Sequence, residues 1–293
     1  MATHQIAPID IERAPGHASN PEAPRERATE SFLYEFAWLG RVRTQEERES
    51  RIGNLDIFDL LAEVASPEPW WDTYSKHPEN IGVLQYYINN TFARAIDDGA
   101  VLLDRESRAA VFNTGLSTEN QESIYGVFFA NSREDLKPWL LKNWHISGSS
   151  HLERFSELPG PAVYSKDPSD YYLDWNLPLE SRISSIAHSV SANFSRAAEE
   201  IPYGLGLAMK AAVEHARDLA ARIPGTAVPS WNTKKSAVQI LLPLFLSAPA
   251  RPDAAIALTR IRDSYVAEEV IPLDSAYRRA RLVTRPHAPW LTF

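Results

Sequence analysis

The sequence predicts an α+β protein, with helices packed on one mostly antiparallel sheet, preceded by N-terminal helices and a disordered tail. Three observations carry that expectation. Runs of β-type residues occur early, around 111–129, and late, over 238–271, with amphipathic helical patterns between them. The bulk composition is that of a globular body, 44% hydrophobic and 23% charged over 293 residues. Only residues 1–30 depart from it, since prolines, charges and small residues there lack any apolar period. They read as a disordered N-terminal extension, and 31–293 reads as a single α+β domain.

Taken in order, Thr29 to Gly40 opens on a possible Thr cap and stops at glycine, which predicts a short helix. Asn54 to Ala65 repeats the design, with Asn54 as the cap and Leu55, Phe58, Leu61 and Ala62 on one face. The tandem Trp70-Trp71 that follows is either a core plug or an aromatic platform for a ligand. A helix is predicted from Pro78 to the Asp97-Asp98-Gly99 stop. Val111-Phe112 and Ile124 to Phe129 predict the arms of a hairpin. Lys137 to Trp144 reads as connecting structure, and Pro159 to Pro178, rich in Tyr, Asp and Pro, as an ordered surface loop. Helices are predicted over Arg182–Glu199 and Leu205–Ile223. Strands follow over Val238–Leu246, Ala254–Arg260 and Ser264–Ile271, then a helix over Ser275–Val283 capped by Asp274 or Ser275.

Several functions are excluded at once. No cysteine is present, which removes disulfides, thiolate nucleophiles and thiolate metal sites, and fits a cytoplasmic location. The start lacks a basic region followed by an apolar one, so a secretory signal is not expected. The longest apolar run, Ala237 to Ala248, is about half the roughly 20 residues a bilayer requires, so no membrane partner is expected. A net charge of −8 means that nucleic acid would need a local basic patch. Nucleotide-loop, serine-elbow and kinase signatures are missing, and no two histidines stand at i,i+4.

The candidate ligand-binding segment is the hairpin connection. Asn113, Thr114, Gly115, Thr118, Asn120 and Gln121 put amides, hydroxyls and a permissive glycine between two strands. The bland alternative is a turn whose polar side chains satisfy their own backbone. Asp167 and Asp170 are the sequence-local carboxylates suited to acid/base work or to a divalent metal such as magnesium, against the alternative of a simple turn cap. Arg278 and Arg281, with Tyr277 at their edge, share a helical face that suits phosphate, while Arg279 points elsewhere and is expected in solvent.

Five separated blocks resemble the DUF3825 domain family: YYINNTFARA, AVFNTGLSTENQESIYGVF, DPSDYYLDWNLPL, VQILLPLFL and PLDSAYRRARLVTRPHAPWL. The likeness covers roughly Asn54 to Leu291. Its association with modules that resemble RNA-binding units implies nucleotide or RNA-end processing, with hydrolysis or transfer at a phosphate bond. Under that expectation Arg94, Arg278 and Arg281 hold phosphate, the hairpin orients the substrate, and Asp167 or Asp170 supplies the chemistry. Two alternatives stand: a non-catalytic module binding RNA, a nucleotide or a protein partner, and an enzyme tailoring a small metabolite. The segment Arg182 to His188 departs from the family's usual R-I-N-x-D-H pattern, which puts any chemistry carried there in doubt.

Overall fold

The strands of this chain pair mainly with their neighbours in sequence, and that local pairing builds two sheets rather than one. The computed structural model describes residues 32–50, 53–70, 81–104, 106, 108–132, 137–181, 186, 205–249 and 251–291. The expected tail, Trp71 and nearly all of the helix expected over Arg182–Glu199 lie outside them. Contacts divide the chain into two compact units, Met1–Val163 and Tyr164–Phe293. The α+β class and the mostly antiparallel pairing hold, but each unit carries its own five-stranded sheet. Strand periodicity reports that a segment is extended; it does not report which sheet the segment joins.

In the first unit, α1 (Phe32–Phe36) runs directly into β1 (Ala37–Trp38). The expected Thr29–Gly40 helix is therefore cut short, because β1 pairs in parallel with β5, Ala37 opposite Trp139. After α2 (Gln45–Glu49) comes α3 (Ile57–Val64). Its cap is Asp56, not Asn54: Asp56 accepts from the Phe58 and Asp59 amides, and the Asp59 side chain accepts from the Asp56 amide. Arg48 pairs with both carboxylates, so the cap is a buried ionic knot. Helix α4 (Gly82–Asp97) starts four residues later than Pro78. The meander β2 (Leu102–Asp104), β3 (Ala109–Ser117), β4 (Ser123–Ala130) and β5 (Trp139–Ile146) gives the order β1-β5-β4-β3-β2.

β5 is the segment expected as mere connection. It hides its period because two residues, Lys142 and Asn143, lie between paired positions where β4 has only Val127. Such a bulge breaks the alternation of buried and exposed positions. One face of the sheet meets α4 through Phe92, Phe112 and Phe128, all fully buried, with ring centroids 4.9 to 5.7 Å apart. Each such ring contributes about 1.5–3 kcal/mol of burial. Gly126 makes the packing possible, since a Cβ there would lie 2.3 Å from Cε1 of Phe112. Trp70 is 5% exposed and packs against Tyr87, which is the core-plug reading of that residue.

The second unit contains β6 (Leu179–Ser181), α5 (Leu205–Arg222), β7 (Val228–Asn232), β8 (Ala237–Leu244), β9 (Ala254–Ile261), β10 (Ser264–Ile271) and α6 (Leu273–Val283). Strand order is β6-β10-β9-β8-β7, antiparallel except for β6 on β10. Met209, Ala212, Val213, Ala216 and Ala220 form the stripe of α5 that covers Ile240, Leu242, Ile256 and Leu258. The alternate residues of those strands point to the other face, beside which α6 packs through β7 and β9. The expected cap at Asp274 or Ser275 is replaced by Pro272, φ −57°, and the helix starts two residues earlier, at Leu273. The run Ala237 to Ala248 supplies β8, and among the described residues no helix is long and apolar enough to cross a membrane.

Candidate functional site

The hairpin's polar residues are engaged mainly by the fold. Asn113, Thr114 and Gly115 lie within β3 and not in the connection. Asn113 donates from Nδ2 to the Pro159 carbonyl at 3.1 Å and accepts from the Gly115 amide at 2.9 Å. The Thr114 hydroxyl donates to the Ile124 carbonyl at 2.7 Å and accepts from the Leu116 amide. Gly115 has φ +73°, and a Cβ there would meet the Tyr87 hydroxyl at 2.6 Å, the same hydroxyl that donates to the Thr114 carbonyl. Thr118 accepts from the Glu122 amide and pairs with its carboxylate. Glu119, Asn120 and Gln121 stand exposed at the tip, Gln121 with φ +65°. This is the self-satisfied turn in its geometry.

The other expected residues divide between the units. Arg94 belongs to the first, where it donates to the Val163 carbonyl and pairs with Asp98 at 2.7 Å. Asp167 and Asp170 belong to the second. Asp167 caps the short turn Pro168–Tyr171 by accepting from the Ser169 amide at 2.9 Å. That bond, the Ser169 side chain and nearby Arg260 hold its carboxyl below the ordinary range. Asp170 accepts from the Ser165 hydroxyl at 2.6 Å. Among the described residues no three His, Asp or Glu gather as a metal site. On α6, Tyr277 and Arg281 are buried and engaged within the protein, while Arg278 is half-buried. Arg279 is not in solvent as expected: it is 9% exposed and paired with Glu269, because α6 turns this position toward the sheet.

That pair leads to a polar row which the sequence reading missed. On the sheet face beside α6, Asn232 donates to Oε1 of Gln239 at 3.0 Å and to Oε1 of Glu269 at 3.1 Å. Its Oδ1 accepts from the Lys234 and Lys235 amides, both at 3.1 Å, so the side chain uses all four of its bonding positions. Gln239 passes the chain on to the Thr259 hydroxyl at 2.9 Å. Asn232 and Gln239 are 4% and 1% exposed, whereas the Glu269 side chain keeps 34% of its surface in solvent. The row therefore runs from the interior to an open carboxylate. The available signal was small: Gln239 interrupts an apolar strand at a period-2 position shared with Asn232 across the β7–β8 register, Ser230 opposite Gln239.

Charge gathers at the same end of this sheet. β8 begins where β9 ends; the β7–β8 turn carries exposed Lys234 and Lys235, and exposed Arg260 near the end of β9 stands beside Arg262 and Asp263 of the β9–β10 turn. A separate group lies in the first unit, where the His145 and His151 rings stack at 4.4 Å and Ser149 Oγ sits 3.4 Å from Nδ1 of His145. Burial, then the neighbouring His151 and Arg154, push His145 below its ordinary 6.5. An apolar recess lies between Leu173, Trp175, Leu258 and Tyr265, and the Arg217 at its wall donates to the Trp175 and Leu177 carbonyls.

A family model described as Domain of unknown function (DUF3825) matches residues 61–290. The chain belongs to the DUF3825 family. The match runs through both units of the DUF3825 chain, from α3 to the residues that follow α6. No curated protein and no solved structure matches it.

Proposed function

We propose that this DUF3825 protein is a cytoplasmic binder and processor of nucleotides or RNA ends, acting at a phosphate bond, with its ligand site at the charged end of the second sheet. One observation carries the reading: the Lys234-Lys235 turn is pinned by Asn232, and the same amide holds the Glu269–Arg279 pair. Cations and one open carboxylate are thereby held around a rigid strand end, which suits a phosphate-bearing ligand. A chain with net charge −8 needs such a local patch to hold a polyanion.

A second reading, a binding module without catalysis, is favoured by Asp167 and Asp170, whose carboxylates serve the turn 165–171. Thermal-shift titration with nucleotides, dinucleotides, divalent metals and non-nucleotide metabolites tests the ligand class, followed by product analysis on whatever binds. A ligand at a hundred times its dissociation constant adds about 2.7 kcal/mol. The expected result is a shift with nucleotides that is lost in the Lys234→Ala/Lys235→Ala variant. A shift with non-nucleotide metabolites alone would falsify the proposal, and binding without turnover would leave the module reading in its place.

A further inference from the structure

We infer that Glu269 is the residue that reads the ligand's hydroxyl groups, so that the site takes a phosphate borne on a vicinal diol, as in a ribonucleotide. This rests on the phosphate reading just given and deepens it. Oε1 of Glu269 is held by both Arg279 and Asn232, and Asn232 is itself locked by four hydrogen bonds. A carboxylate gripped at one oxygen has little freedom left to lose on binding, which is the condition for specific recognition. Its other oxygen, Oε2, takes no hydrogen bond from any described residue, while 34% of the side chain faces solvent.

An ionised carboxylate only accepts, so the ligand group opposite Oε2 must donate. It would repel a phosphate directly; the phosphate belongs with the Lys234-Lys235 turn, which Asn232 joins to Glu269 through its two ends. A ligand that satisfies both carries an anion at one end and hydroxyl donors a few ångströms away. Ribose bearing a phosphate has that pattern, and a diol can place two donors on one carboxylate.

The test compares AMP, 2′-deoxy-AMP, 2′,3′-dideoxy-AMP, ribose 5-phosphate and inorganic phosphate by calorimetry on the full chain. AMP is expected to bind at least roughly tenfold more tightly than the dideoxy compound, the size of one or two hydrogen bonds to a charged group. Glu269→Gln should abolish that preference, so that AMP and dideoxy-AMP bind the variant equally. Tight binding of ribose 5-phosphate would assign recognition to the sugar alone; its failure beside AMP would add a contact to the base, and in both cases the diol preference stands. Equal affinity for AMP and dideoxy-AMP in the wild-type protein overturns the role of Glu269 and leaves the phosphate reading intact, a result that does not depend on the variant folding. If none of the five binds, both readings fall together.

Discussion

Asn232→Asp is the sharpest probe of the polar row, because it changes one atom and inverts the bonding of that atom. The amide nitrogen faces two acceptors, Oε1 of Gln239 at 3.0 Å and Oε1 of Glu269 at 3.1 Å. An oxygen in its place loses one neutral hydrogen bond, about 1 kcal/mol, and one to a charged group, about 1.5–3 kcal/mol. Two carboxylates that close repel by several kcal/mol more at an effective dielectric of about 20, a term that relaxation and protonation will reduce. The accepted bonds from the Lys234 and Lys235 amides survive, so the turn itself keeps its cap. Together these give a loss of about 3–5 kcal/mol at pH 7. The introduced carboxyl is pushed up in the folded state by Glu269, so protonation favours the fold and the deficit should shrink as pH falls toward 4.5. Urea unfolding at pH 7.0 and 4.5, each variant against wild type, reads both effects. A deficit below about 1 kcal/mol at pH 7, or one that does not narrow at the lower pH, refutes the hydrogen-bond assignment at Asn232.

Two further outcomes follow from the first unit. Gly126→Ala places a methyl against the Phe112 ring, where a Cβ would lie at 2.3 Å; overpacking of about 1–3 kcal/mol should lower the melting midpoint by on the order of 5 °C, and an unchanged midpoint would show that the ring moves freely. His145 should titrate by NMR with a midpoint below the ordinary 6.5, since burial and the facing His151 and Arg154 disfavour its charged form. Its folded-state value being depressed, the stability it contributes is present above 6.5 and is lost as pH falls through the folded-state midpoint; replacing His151 with Ala should raise that midpoint, and a midpoint at or above 6.5 contradicts the stacked arrangement.

Long periodic segments were legible because their period is a local property. The helix Leu205–Arg222 and the three late strands fall close to where the side-chain pattern puts them. β5 was not legible, since a bulge removes the alternation on which recognition of a strand depends. The candidate site divides the same way. Asn113 and Thr114 stood out by residue type, yet their side chains bond to Pro159 and Ile124, partners 46 and 10 residues away that no local pattern reveals. Arg279 read as a solvated neighbour of Arg278 because helical spacing alone does not say which face meets a sheet; Glu269 across the fold decides it.

Composition and periodicity by themselves determined the α+β class and the lack of thiol chemistry, and the resemblance of five sequence blocks pointed to the DUF3825 family, since each depends on residue types in order. The tertiary structure alone decided that the described strands form two sheets and that Asn232, Gln239, Thr259, Glu269 and Arg279 form one bonded row. Those residues come from four strands and a helix, and no strand's sequence specifies its neighbour. Hydrogen bonds between them exist only once pairing and helix packing have brought them within about 3 Å.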